Sequence, residues 1–151
     1  VLVDETMQSS LPDIYAAGDA ARFYDPIFGK KRRVEHWGQA DYAGELAGKN
    51  MAGAEEAYDI VTYAWSDIFD QHLEFVGDET AYDEVWLRGS PGQGPFTVLY
   101  LQDGALKAFF GVNTGTDEFG TLEALIRSGE SLVEHRETLE NLDADLDPLV
   151  S

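Results

Sequence analysis

Gly18 and Asp19 are a pair whose types and order could do chemistry. They follow Ile14-Tyr15-Ala16-Ala17, an apolar run that stops abruptly at the Gly-Asp step. A run this short reads as a strand over 13–17, buried on both faces inside a parallel sheet. A carboxylate just beyond the C-terminal end of such a strand stands where open α/β sheets bind ligands. Asp19 is then an acceptor for a ligand hydroxyl, as on a sugar-like chain, and Gly18, with no Cβ, allows close approach to the backbone. The same Asp also fits a helix N-cap or a turn. Little else offers chemistry. The chain has no Cys, which removes thiolate nucleophiles, disulfides and Cys-based metal sites. His36, His72 and His135 lack metal-ligand spacing, and neither G-x-G-x-x-G nor a phosphate loop occurs. A Ser-His-Asp set assembled from Ser66, His36 and Asp67 has no local sequence support. No catalytic residue and no metal site is assigned.

The elements that must position Asp19 follow from periodicity. Trp37, Ala40, Ala43, Ala47 and Met51 recur at helical steps after Val34-Glu35-His36, with Gly53 as the C′ residue. Residues 55–62 read as a linker, and composition changes after it. Strands are predicted over 73–76, 84–87, 96–101 and 105–112, with Asp103-Gly104 as a hairpin turn. A helix opens at Thr116-Asp117-Glu118 with Phe119, Leu122, Leu125 and Ile126 as its apolar stripe, and Gly129 ends it. A second helix carries Leu132, Val133, Arg136 and Leu139, and the acidic tail over 140–147 is expected to fray. The class is α+β: the end of an α/β domain over 1–54, then antiparallel strands and helices over 55–151. The start at Val1, inside an apolar run, points to a piece of a longer protein.

Charge narrows the partners. Acidic residues number 29 against 10 basic ones, a net charge of −19. Such a field repels nucleic acid and destabilises a compact state at low ionic strength. At about 1 M salt the screening length falls to roughly 3 Å, so the balance fits a halophilic, high-salt cytoplasm; a mesophilic acidic surface is the alternative. Lys30-Lys31-Arg32-Arg33 is the one basic run, read as an exposed hairpin tip or a patch paired with nearby acids. The apolar runs are too short to span a membrane, and no signal peptide is visible.

Three ordered stretches, residues 10–19, Arg33-Val34-Glu35-His36-Trp37 and Trp65-Ser66-Asp67, together resemble the C-terminal part of the FAD-dependent pyridine-nucleotide reductases. The similar branch comprises ferredoxin and rubredoxin reductases and apoptosis-inducing factor. The resemblance implies a cytoplasmic flavoprotein that takes hydride from NAD(P)H and passes electrons to a ferredoxin- or rubredoxin-type protein. It also implies a C-terminal reductase domain of the kind that forms homodimers in the disulfide reductases. By the same resemblance Asp19 holds the ribityl chain of FAD beside Gly18, and His36 and Trp37 contact the isoalloxazine ring. Glu35 lies beside the nicotinamide, Trp65 lies against flavin and nicotinamide, and Glu74 is a second nicotinamide contact. The glycine fingerprints for both dinucleotides would lie upstream. The absent Cys pair excludes the disulfide-reducing branch, and the long insertion of apoptosis-inducing factor is missing. The basic run becomes a candidate docking patch for an acidic acceptor. A reading of another class is a non-catalytic α+β dimerisation or interaction module; an acidic docking protein for a cationic partner is a third.

Overall fold

The computed structural model describes residues 1–150, the side chains of Thr116 and Asp117 excepted. The chain forms two compact units, Val1–Ile60 and Val61–Ser151. No helix among the described residues is long and apolar enough to cross a membrane.

The first unit has a 3-10 turn at Gly18–Ala20, a hairpin of β1 (Phe23–Asp25) and β2 (Lys30–Arg32), and helix α1 (Trp37–Met51). Its core gathers Val3, Met7, Ala21, Phe23, Ala43, Leu46, Ala47 and Tyr58. Tyr58 belongs to the stretch read as a linker. Its ring lies 4.4 Å from Phe23 and 5.4 Å from Tyr42, so that stretch is anchored in this unit. Helix α1 follows from its Ala-rich face and an i,i+4 Glu45–Lys49 pair at 2.9 Å. It ends as expected, with Gly53 at φ 92° just after the Ala52 C-cap. Its buried arc is Gln39, Ala43, Leu46, Ala47 and Asn50. The predicted stripe is therefore right only in its middle, and Trp37 and Met51 are exposed. Asn50 serves as a staple: its amide donates to the carbonyls of Thr6 and Glu56, each at 2.8 Å, and accepts from the Glu56 N–H at 2.7 Å.

The expected parallel strand over 13–17 is not present. Asp13 adopts φ 62°, Ile14 is half exposed, and the stretch makes a single antiparallel bridge, Gln8 to Tyr15. The cause is local. Pro12-Asp13 makes a turn in which Ile14 N–H donates to Leu11 O at 3.3 Å and Ser9 N–H to Ile14 O at 2.8 Å. Those bonds take the groups that a parallel neighbour would need. The basic run is not a hairpin tip, since Lys30–Arg32 forms strand β2, but its arginines pair with nearby acids as the other reading expected. Arg32 lies 3.7 Å from the buried Asp25 and over the Phe28 ring, and Arg33 lies 2.5 Å from Glu35.

The second unit is a five-stranded antiparallel sheet, ordered β3-β4-β7-β6-β5. Its strands are β3 (Tyr63–Ile68), β4 (Gln71–Gly77), β5 (Glu84–Gly89), β6 (Phe96–Gln102) and β7 (Ala105–Val112). Strand β3 was missed because its outward residues are polar or exposed aromatic rather than alternating apolar. The turn at Asp103-Gly104 has φ 52° and 78°, both positive as a tight hairpin requires. A register row Tyr63–Val76–Phe109–Leu99–Trp86 crosses the sheet. Helix α2 (Thr116–Ser128) lies over it, with Phe119 centred 5.0 Å from Tyr63 and 5.9 Å from Phe109. Helix α2 stops at Gly129 in the left-handed conformation, φ 64°.

The C-terminal expectation is corrected. The second helix is only a 3-10 turn (Val133–His135) running into α3 (Arg136–Glu140), and the tail beyond it is held rather than frayed. Arg88, 1 % exposed, donates to the carbonyls of Thr138, Leu139, Asn141, Leu142 and Ala144 and pairs with Glu118 at 2.6 Å. Five N–H donors in a rigid fork suit such a set of carbonyls. Leu146 is buried just beyond.

Candidate functional site

In the first unit the candidates lie on two short segments. Gly18 opens the 3-10 turn at φ 66°, and a Cβ there would sit 3.3 Å from the Ala40 Cβ of α1. The close approach that Gly18 permits is thus made by helix α1, and that contact fixes the turn against the helix. Asp19 follows, exposed, and its carboxylate has no partner among the described residues. It caps no helix.

The second segment is the start of α1. His36 is the N-cap residue in extended conformation, φ −143°, and no side chain caps the helix. The first-turn N–H groups therefore remain without a side-chain acceptor, and a helix N-terminus in that state favours negative charge. His36 Nδ1 is buried and unpartnered. Trp37, the first helical residue, is 81 % exposed, a large apolar plane left uncovered. Glu35 is exposed and held by Arg33. Gln39, one turn in, was not singled out from the sequence. It is buried, and neither atom of its amide has a partner. An unsatisfied buried amide is costly, yet a Gln on a helix carries no sequence mark that would distinguish it from a surface one.

In the second unit the candidates stand at the β3 edge of the sheet. Trp65 pairs in register with Glu74, and its ring is 58 % exposed. Glu74 is buried. Its Oε1 accepts from the Tyr63 hydroxyl at 3.2 Å and its Oε2 from the Thr114 hydroxyl at 3.3 Å. Burial and then the Glu74 charge push the Tyr63 hydroxyl pKa up. His72, treated from sequence only as a scattered His, lies between two carboxylates: Nδ1 is 2.7 Å from Asp67 and Nε2 is 3.4 Å from Glu74. The bond to Asp67 is the main cause of a raised His72 pKa, opposed by burial. The Trp65 ring stacks against the imidazole at 6.1 Å and 29°. A groove of about 200 Å³ lies on the opposite face of the same strands, lined by Ala64, Ser66, Leu73, Phe75 and Phe110. No cluster of metal ligands occurs among the described residues.

The family model described as "Reductase C-terminal" matches residues 63–150, more than half of the chain. The chain belongs to this family. Its Reductase C-terminal region accounts for the five-stranded sheet and the helices that follow, and the α+β class is as expected. The chain is 35 % identical over 130 residues to the ferredoxin–NAD(+) reductase component of the anthranilate 1,2-dioxygenase system from Burkholderia cepacia, covering 85 % of this chain and 32 % of that protein. It is 35 % identical over 153 residues to the 5,5'-dehydrodivanillate O-demethylase ferredoxin reductase subunit of a Sphingobium species, covering 99 % of this chain and 36 % of that protein. Among solved structures, a ferredoxin reductase from Rhodopseudomonas palustris matches with a TM-score of 0.86 at 27 % identity, over 100 % of this chain and 37 % of that one. The resemblance to the ferredoxin-reductase branch is borne out. The chain spans about a third of the length of the curated relatives it matches.

Proposed function

We propose that this chain is the C-terminal part of an NAD(P)H-dependent FAD oxidoreductase that delivers electrons to a ferredoxin- or rubredoxin-type protein. The observation that carries the reading is the uncapped start of α1, where unclaimed first-turn N–H groups, the orphaned His36 Nδ1 and the bare Trp37 plane occur together. These are groups suited to a flat ring that gains negative charge on reduction. The unpartnered Asp19 carboxylate suits the ribityl hydroxyls of the same cofactor. The residues present therefore fit FAD.

When bound, the flavin supplies the hydride and electron chemistry. The chain's own residues bind and orient. Asp19 accepts hydrogen bonds from the ribityl chain, and His36 and the α1 N-terminus favour negative charge at the ring. Glu35 in the first unit is kept as a candidate nicotinamide contact, and Trp65 in the second as a candidate aromatic face for flavin and nicotinamide. Glu74 has both oxygens engaged by hydroxyls, so it acts there by bracing β3 against β4 while remaining a candidate nicotinamide contact. We assign 1–54 to the end of the FAD-binding domain and 55–151 to the reductase domain, with Tyr58 and Ile60 of the joining stretch packing into the first unit's core. We infer a cytoplasmic, high-salt setting from the charge of −19, and a homodimer built on the second domain.

The full-length protein is expected to be yellow, and the 151-residue chain alone to show no flavin bands. In the full-length protein, Asp19→Ala is expected to weaken flavin binding roughly tenfold to a hundredfold, the worth of a charge-assisted hydrogen bond. A folded full-length protein that is colourless overturns the reading.

A further inference from the structure

We propose that His72 is the positioning residue for Trp65: clamped between Asp67 and Glu74, its imidazole is the platform that holds the indole plane in place. The importance of that plane for electron delivery rests on the flavin reading above; the platform itself does not.

Asp67 pairs with His72 and Trp65 with Glu74 across β3 and β4, which makes Trp65 and His72 diagonal neighbours on one face, within reach of long side chains. Asn113 locks the His72 backbone from both sides: its Oδ1 accepts from the His72 N–H and its own N–H donates to His72 O, each at 2.8 Å. The imidazole is oriented at both ring nitrogens, Nδ1 facing Asp67 at 2.7 Å and Nε2 facing Glu74 at 3.4 Å. Only the doubly protonated ring can donate to both. Glu74 is in turn fixed by Tyr63 from β3 and Thr114 from beyond β7. Trp65 stacks on the imidazole face, 6.1 Å between centroids and 29° between planes, a geometry that favours a cationic ring against an indole. An exposed Trp on an edge strand would otherwise sample several rotamers. The titratable groups facing His72 are Asp67 and Tyr63 from β3 and Glu74 from β4. The segment after β7 contributes the neutral Asn113 and Thr114, and no described cation pairs with either carboxylate.

Indole and imidazole resonances of the 151-residue chain, followed by NMR between pH 5 and pH 9, test the platform. The Trp65 indole N–H resonance is expected to move with the same midpoint as the His72 ring, and Asp67→Asn to lower both midpoints together. In His72→Gln, and in His72→Asn as a second variant checked for native circular dichroism, Trp65 is expected to lose its pH dependence. In the full-length protein, His72→Gln is expected to lower kcat for acceptor reduction roughly threefold to tenfold, with KM for NAD(P)H within about twofold, because orientation rather than binding is lost. A Trp65 resonance that stays fixed while His72 titrates overturns the proposal, flavin or no flavin. A flavin-free full-length protein in which Trp65 still tracks His72 supports the platform and removes only the flavin reading.

Discussion

One row of residues crosses the second-unit sheet and ends in two very different ways. Trp65 and Glu74 stand at the β3 edge, Gly111 and Thr97 continue the row, and Arg88 closes it at β5. Both ends carry buried charge. At the β5 end Arg88 is completed by its own chain, through Glu118 and the carbonyls of the C-terminal strap, and almost none of it reaches solvent. At the β3 end Glu74 is likewise satisfied, but the aromatic beside it is left in water. A charge that the fold satisfies entirely and seals off contributes structure. A satisfied charge bracing an uncovered aromatic plane leaves a surface on which something else can act.

The largest way to test that contrast is Arg88→Met. It removes one partner of a buried ion pair and unlatches the strap, and a loss of about 3–5 kcal/mol is expected in urea unfolding of the 151-residue chain. If the loss is no larger than that of an exposed ion pair, the two ends are alike. A smaller effect of opposite sign is expected at the tip of the β3–β4 hairpin. Phe69 is fully exposed there and sits at φ 57°, so Phe69→Gly removes backbone strain and almost no packing. It is expected to stabilise by about 1 kcal/mol in the same measurement. The smallest effect is a pH dependence. The folded His72 pKa is raised above 6.5, chiefly by Asp67. Its contribution to stability is therefore fully present below pH 6.5 and is lost as pH rises through the folded value. The difference in unfolding midpoint between wild type and His72→Gln is expected to shrink from pH 5.5 to pH 9, and a constant difference would remove the charged ring from the account.

Local signals proved legible in the sequence. Gly53 and Gly129 marked helix ends, Asp103-Gly104 marked the hairpin, and β7 was read over its full length, because each depends on backbone preferences of adjacent residues. The strand expected over 13–17 failed for a related reason: an apolar run specifies burial, while Pro12-Asp13 imposed a turn inside it. The long-range pairings were not legible. Nothing in Trp86-Leu87-Arg88-Gly89 indicates that the guanidinium will meet carbonyls some fifty residues later, and nothing near His72 indicates two carboxylates at its ring. For the candidate site, the types and order of Asp19, Glu35, His36, Trp37 and Trp65 were visible. The buried, unsatisfied amide of Gln39 and the imidazole beneath Trp65 were not, since burial and partnership are set by tertiary neighbours.

The strap held by Arg88 is recognised through main-chain oxygens. The acidic side chains at Asp143 and Asp145 take no part in that recognition, so the Arg88 contacts themselves place no demand on the residue types at those two positions. Surface charge at Asp143 is free to follow the ionic conditions of the surroundings, whereas Asp145 also holds the last turn, its Oδ1 accepting from the Asp147 N–H at 3.0 Å.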